Sequence, residues 1–214
     1  MGLLSLEHSP AVYWADFAWH GAVALLLAVL LGAGLVAAPA WPAVLAALAL
    51  VLLGGLLWTL IEYLLHRFVL HGVPPFRHWH ALHHQRPRAL ICGPTLLSSA
   101  LIALLVLAPA WALLGLGHAE ALTLGVVLGY LAYGLAHHAA HHGGGGRWMQ
   151  QRRRWHALHH HDASQTGYGV STGLWDRVFV TVPTPGPRRP TNGASTLPPT
   201  RAPSPLATTL KERP

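Results

Sequence analysis

The chain has 214 residues, of which 52% are hydrophobic and only 10% charged, whereas soluble globular domains average about 25% charged residues, so a water-soluble globule is excluded. The formal charge of +7 comes from 14 Lys and Arg against 7 Asp and Glu, but these cations form no stripe interleaved with stacking aromatics, which argues against nucleic acid. Cys92 is the only cysteine, which rules out an intrachain disulfide framework and a cysteine-ligated zinc site.

Residues 1–16 carry no Lys or Arg and the apolar run after them is too long for an h-region, so they read as a short N-terminal segment and not as a cleavable signal. Four apolar segments follow, Phe17–Ala38, Ala43–Leu65, Thr95–Gly115 and Ala121–Ala136. A membrane span needs roughly 20 helical residues at 1.5 Å each. The first three satisfy this. The fourth is about 24 Å long by the same rise per residue, so its helix is expected to continue through His137. The short linkers Pro39–Pro42 and Leu116–Glu120 join the four into two hairpins.

Fourteen of the 17 histidines fall in four clusters beside these segments. They are His66 and His71; His78, His80, His83 and His84; His137, His138, His141 and His142; and His156, His159, His160 and His161. Residues at i, i+3 and i+4 share a helical face. This holds for His80, His83 and His84, for His156, His159 and His160, and for the pairs His137/His141 and His138/His142. His66 and His71 are five apart, roughly 140° around a regular helix, so a helix end or a π-bulge is expected between them. Imidazole is a common metal ligand, and the ligands exceed what one ion accepts, so two metals are implied. No carboxylate stands where it would bridge them. Glu62, one turn before His66, and Asp162 are placed to orient an imidazole from behind, as are the spare imidazoles of His142 and His161. The isolated His8, His20 and His118 read as interfacial or solvated.

Arg67, Arg77, Arg86 and Arg88 follow the second span, and Arg147 and Arg152–Arg154 the fourth, while both hairpin linkers lack cations. The positive-inside rule therefore puts the histidine clusters and both termini in the cytoplasm. Trp58, Trp79, Trp148, Trp155 and Trp175 read as interfacial anchors rather than an acyl tunnel. Gly143–Gly146 reads as a turn that folds the last cluster back under the bundle. Pro183–Pro214, rich in Pro, Thr, Ser and Gly, reads as a disordered tail. The predicted architecture is an all-α integral membrane protein with four transmembrane helices in two hairpins plus a cytoplasmic, helical, histidine-rich cap, its working domain spanning residues 17–182.

Glu62-Tyr-Leu-Leu-His66-Arg-Phe-Val-Leu-His71, His80-x-x-His83-His84, Tyr133-x-x-x-His137-x-x-x-His141 and His156-x-x-His159-His160 together resemble the boxes of the fatty acid hydroxylase/sterol desaturase superfamily. The segment Gly167-Tyr-Gly-Val-Ser-Thr-Gly-Leu-Trp175-Asp176 is similar to the one that follows the last box in fatty acid 2-hydroxylases. The resemblance covers roughly Trp58 to Thr181. It implies ten metal ligands, His66, His71, His80, His83, His84, His137, His141, His156, His159 and His160, around two iron ions. It also implies an O2-dependent lipid hydroxylase, an oxidoreductase acting on a fatty acyl chain with electrons from a separate protein. The same ligand set also serves sterol or carotenoid hydroxylation or desaturation. A membrane metal-binding or transport protein is the non-enzymatic alternative, disfavoured because transporters place ligands near the bilayer midplane. A purified sample could carry zinc, which nitrogen-rich sites hold more tightly than Fe(II).

Overall fold

A computed structural model describes residues 7–91, 93–161 and 166–184. Helix α1 spans Pro10–Ala37, α2 Trp41–Leu70, α3 Phe76–Gln85, α4 Thr95–Leu114, α5 Leu116–His142, α6 Arg147–His161 and α7 Leu174–Val178. Among the described residues there is no strand, only an isolated bridge between Glu7 and Ile91. Helices α1, α2, α4 and α5 are each long and apolar enough to cross a membrane. Large apolar side chains such as Leu25, Leu52, Leu104 and Leu113 point outward from them.

The sequence pattern misplaces several boundaries. Helix α1 begins at Pro10 and not Phe17, because Ser9 caps it, its hydroxyl accepting from the Val12 N–H, and proline at the first helical position donates no bond that would be missed. Asp16, just ahead of the expected span, is inside the helix and buried. The expected linker Leu116–Glu120 is helical; the break is Gly115 alone, at φ 83°. The fourth span continues to His142, as its short apolar length required. In α4 the backbone widens to a π turn over Ala103–Leu107 just ahead of Pro109, since proline cannot donate to the carbonyl four residues back and its ring would clash there.

Helix α5 is the hub against which α1, α2 and α4 pack. Its tightest contact is with α2, where Gly54 and Gly125 meet backbone to backbone. A Cβ on Gly54 would stand 2.1 Å from the Leu122 carbonyl oxygen, and one on Gly125 2.1 Å from that of Val51. Small residues permit this approach between membrane helices. The crossing lies 12 residues before His66 (66 − 54) and 12 before His137 (137 − 125), about 18 Å along either helix at 1.5 Å per residue. The two helices run in parallel from it and deliver these histidines to one level. Gly143, Gly144 and Gly145, all at positive φ, then make the turn that brings α6 back beneath α5. Pro183, the first residue of the expected tail, is buried against Gly167; residues 185–214 lie outside the described residues.

Candidate metal centre

The first histidine pair is set by the last turn of α2. Leu65–Leu70 is wound as a π-helix, closed by the His71 N–H donating to the His66 carbonyl. A regular helix would point two side chains five residues apart in different directions; the wider turn brings both rings to one side, their centroids 5.2 Å apart. Helix α3 adds His80, His83 and His84, α5 adds His137 and His141, and α6 adds His156, His159 and His160.

The ring nitrogens converge in two sets. His66, His71, His80, His84 and His159 form one, and His83, His137, His141 and His156 the other, each within 4.8 Å among its own ligand atoms. His160 sits between them, with its Nε2 3.1 Å from that of His156 and its ring stacked on His84 at 4.1 Å. Nε2–Nε2 separations are 3.0 Å for His66–His80 and His80–His84, 3.1 Å for His71–His159 and His83–His137, and 2.7 Å for His141–His156. Two ligands at 90° on metal–nitrogen bonds of about 2.1 Å stand about 3.0 Å apart, so the spacing fits a shared cation.

The tautomers agree with this. His66 donates through Nδ1–H to the Tyr168 carbonyl (2.6 Å) and His159 to that of Thr166 (2.8 Å). Their Nε2 lone pairs therefore face inward, toward the Nε2 atoms of His80 and His71, the orientation a metal ligand needs. Burial, reinforced by neighbouring imidazoles, pushes His71 down to about 4, His83 and His159 to about 3 and His160 to about 2. These four histidines are thus neutral at physiological pH, the state a metal requires.

The elements behind the ligands differ from those the sequence suggests. Glu62 is buried, but its carboxylate reaches no imidazole. It accepts the N–H groups of Val170 (2.6 Å) and Ser171 (2.8 Å), and the Ser171 hydroxyl. Asp176 secures the other side of the same loop, accepting the Tyr168 and Gly169 N–H groups at 2.9 Å each and the Thr181 hydroxyl. The two carboxylates hold the loop whose Tyr168 carbonyl orients His66. Asp162 lies outside the described residues. His142 and His161 are exposed and hydrogen-bond to none of the ten; His142 stacks on His138, whose Nδ1 meets the Tyr13 hydroxyl at 3.2 Å. His78 is exposed. His20, expected to be interfacial, is 1% exposed and paired with Asp16.

Among the tryptophans, Trp58 is buried between α2 and α5 against Gly129. Trp155 lies beneath the Arg152 and Arg177 guanidinium groups, and the Trp175 N–H donates to the Thr59 hydroxyl; of the five tryptophans expected to be interfacial anchors, only Trp148 is largely exposed, at 57%. Arg152 is buried and so cannot be part of an external docking surface, unlike Arg154, which is exposed.

A family model described as "Fatty acid hydroxylase" matches residues 51–181, a range that includes all ten histidines. The chain is 31% identical to a dihydroceramide fatty acyl 2-hydroxylase of Arabidopsis thaliana, over 63% of this chain and 60% of that protein. It is 34% identical to the fatty acid 2-hydroxylase of Rattus norvegicus, over 63% of this chain and 40% of the relative. The chain thus spans between two fifths and three fifths of these relatives' lengths. A solved structure of full-length scs7p, in which only the hydroxylase domain is visible, superposes with a TM-score of 0.68 at 29% identity, covering 83% of this chain and 68% of that one.

Proposed function

Because the chain belongs to the fatty acid hydroxylase family, we propose that it is a membrane oxygenase that inserts one oxygen atom into a fatty acyl chain of a lipid, at carbon 2 as in the names of its relatives. The observation that carries this reading is the double set of converging imidazoles at one end of four apolar helices. His66, His71, His80, His84 and His159 would hold one iron ion. His83, His137, His141, His156 and His160 would hold the other. Bound iron supplies O2 activation with two electrons delivered by a separate protein.

The chain's own residues do the positioning. Tyr168 and Thr166 carbonyls fix the His66 and His159 tautomers, and Glu62 and Asp176 fix the loop that presents the Tyr168 carbonyl. The spans exclude water from one side of the site and admit the acyl chain laterally from the bilayer. The arginine distribution supports a cytoplasmic position for the site and both chain ends, where a separate donor protein has access.

Lipid mass spectrometry of cells with and without the gene tests the reading. One lipid class should gain the mass of a single oxygen atom at the acyl chain, and the gain should vanish in His83→Ala. An unchanged lipid profile alongside a fully metal-loaded protein would refute the assignment.

A further inference from the structure

Beneath the metal centre, on the membrane side, lies a second polar cluster that the hydroxylase reading leaves unused. Asp16 and His20 of α1 are 3% and 1% exposed, and the Tyr130 hydroxyl of α5 donates to Asp16 Oδ2 at 2.8 Å. The His20 ring packs at a tilt against the Tyr130 ring, centroids 4.3 Å apart, and turns its Nε2 toward the Ser98 and Ser99 hydroxyls of α4, 3.4 Å from each. Ionisable groups at membrane depth are expensive to bury and default to a functional role.

An unbroken series of rings joins this cluster to the ligands. Centroids are 5.9 Å apart from His137 to Tyr133, with the planes only 12° from parallel, then 6.1 Å to Trp58 and 5.2 Å from Trp58 to Tyr130. Each step is a ring contact short enough for rapid single-electron transfer. The rings differ in one respect. Losing an electron makes a phenol or indole strongly acidic, so the oxidised ring persists where its proton has an acceptor. The Trp58 N–H is buried without a partner. Tyr130 alone in the series is bonded to a carboxylate.

We propose that Tyr130 is a redox-active tyrosine, with Asp16 as its proton acceptor, that drains oxidising equivalents from the metal centre when no lipid is in place. This inference rests on the oxygenase reading. The oxidant is the iron centre after it has reacted with O2. One electron leaves Tyr130 and passes through Trp58 and Tyr133 to the centre, which is reduced by one equivalent. The phenolic O–H bond breaks, and its proton moves along the existing hydrogen bond to Asp16 Oδ2. An electron from the external donor later restores the phenol and takes the proton back. The ligand histidines are thereby spared oxidation.

The test uses the full-length, iron-loaded protein in lipid nanodiscs, reduced and mixed with O2 without acyl substrate, then frozen for EPR. The wild type should show a tyrosyl radical whose hyperfine pattern changes when ring-deuterated tyrosine is incorporated. Tyr130→Phe should lose the signal, and peptide mass spectrometry should then find oxidation on Trp58, Tyr133 or His137. Asp16→Asn keeps an acceptor for the phenol but not a base, so it too should lose the radical while retaining iron. A mere clasp between α1 and α5 would leave the radical intact in Asp16→Asn, and that result overturns the proposal. A wild type that forms hydroxylated lipid yet shows no radical also overturns it while leaving the oxygenase reading in place. Failure to consume O2 at all would overturn both.

Discussion

Adjacent glycines in α2 should behave in opposite ways. A methyl group on Gly54 would stand 2.1 Å from the Leu122 carbonyl oxygen, whereas one on Gly55 would meet its nearest atom, the Gly125 carbonyl oxygen, at 3.8 Å. Ordinary contact begins at 3.4 Å, so Gly54→Ala must push α2 and α5 apart by 1.3 Å (3.4 − 2.1), and the obstructing atom is backbone that cannot rotate away. Both substitutions share the roughly 1 kcal/mol gain in helix propensity. Only Gly54→Ala adds an overpacking cost of about 1–3 kcal/mol, which offsets that gain or exceeds it. The displacement matters more for geometry than for stability. Helices α2 and α5 bring His66 and His137 to one level, and the histidines of α3 contact both at 3.0 and 3.1 Å. Opening that junction by an ångström should lower turnover by about 10²-fold, the usual cost of misplacing a reacting group this far. The assay is iron per protein and hydroxylated lipid formed, measured on detergent-purified Gly54→Ala and Gly55→Ala. Gly54→Ala matching wild type in both, or Gly55→Ala failing like Gly54→Ala, would refute the crossing-point argument.

His83→Ala and His159→Ala should each abolish metal content and product while leaving membrane insertion intact; wild-type turnover in a variant without measurable metal would sink the metal assignment. Glu62→Gln should weaken metal retention by about 10–100-fold, the range for partners that orient ligands, because the loop bearing the Tyr168 carbonyl loses its anionic anchor; metal titration of the purified variant reads this directly. The metal-free protein should lose thermal stability as pH falls from 6.5 toward about 4. His71 and His83 bind protons at an ordinary 6.5 when unfolded but only at about 4 and about 3 when folded, so the unfolded chain takes up more protons across that window and stability rises with pH. A melting temperature flat between those pH values would contradict the burial of these rings.

Much of this was legible because it depended on periodicity. The i, i+3, i+4 spacing of His80, His83 and His84 and of His156, His159 and His160 corresponds to real helical faces. The five-residue step from His66 to His71 required a departure from α geometry, which is present as a π turn. What escaped was backbone chemistry and long-range pairing. The carbonyls of Thr166 and Tyr168 that hold His159 and His66 carry no side-chain signal, and Glu62 looked like an imidazole partner because it lies one turn from His66. Only the fold shows that residues 170 and 171 occupy that space. His20 read as interfacial or solvated for a similar reason: Tyr130, which meets both its ring and Asp16, is more than 100 positions away. The motif Gly54/Gly125 was invisible because two glycines in apolar runs mean nothing until the helices that carry them are paired.

The cap helices divide neighbouring histidines between the two ligand sets. On α3, His80 and His84 belong to one and His83 to the other; on α6, His159 belongs to the first and His156 to the second. Neither set can be assembled without both helices in place. With one ion in each, the first to bind would bear the entropy of fixing α3 and α6, and the second would find them already fixed. Iron uptake should therefore be cooperative, with half-loaded molecules scarce at every point of a titration. Damage to a single ligand on either cap helix should empty both positions together.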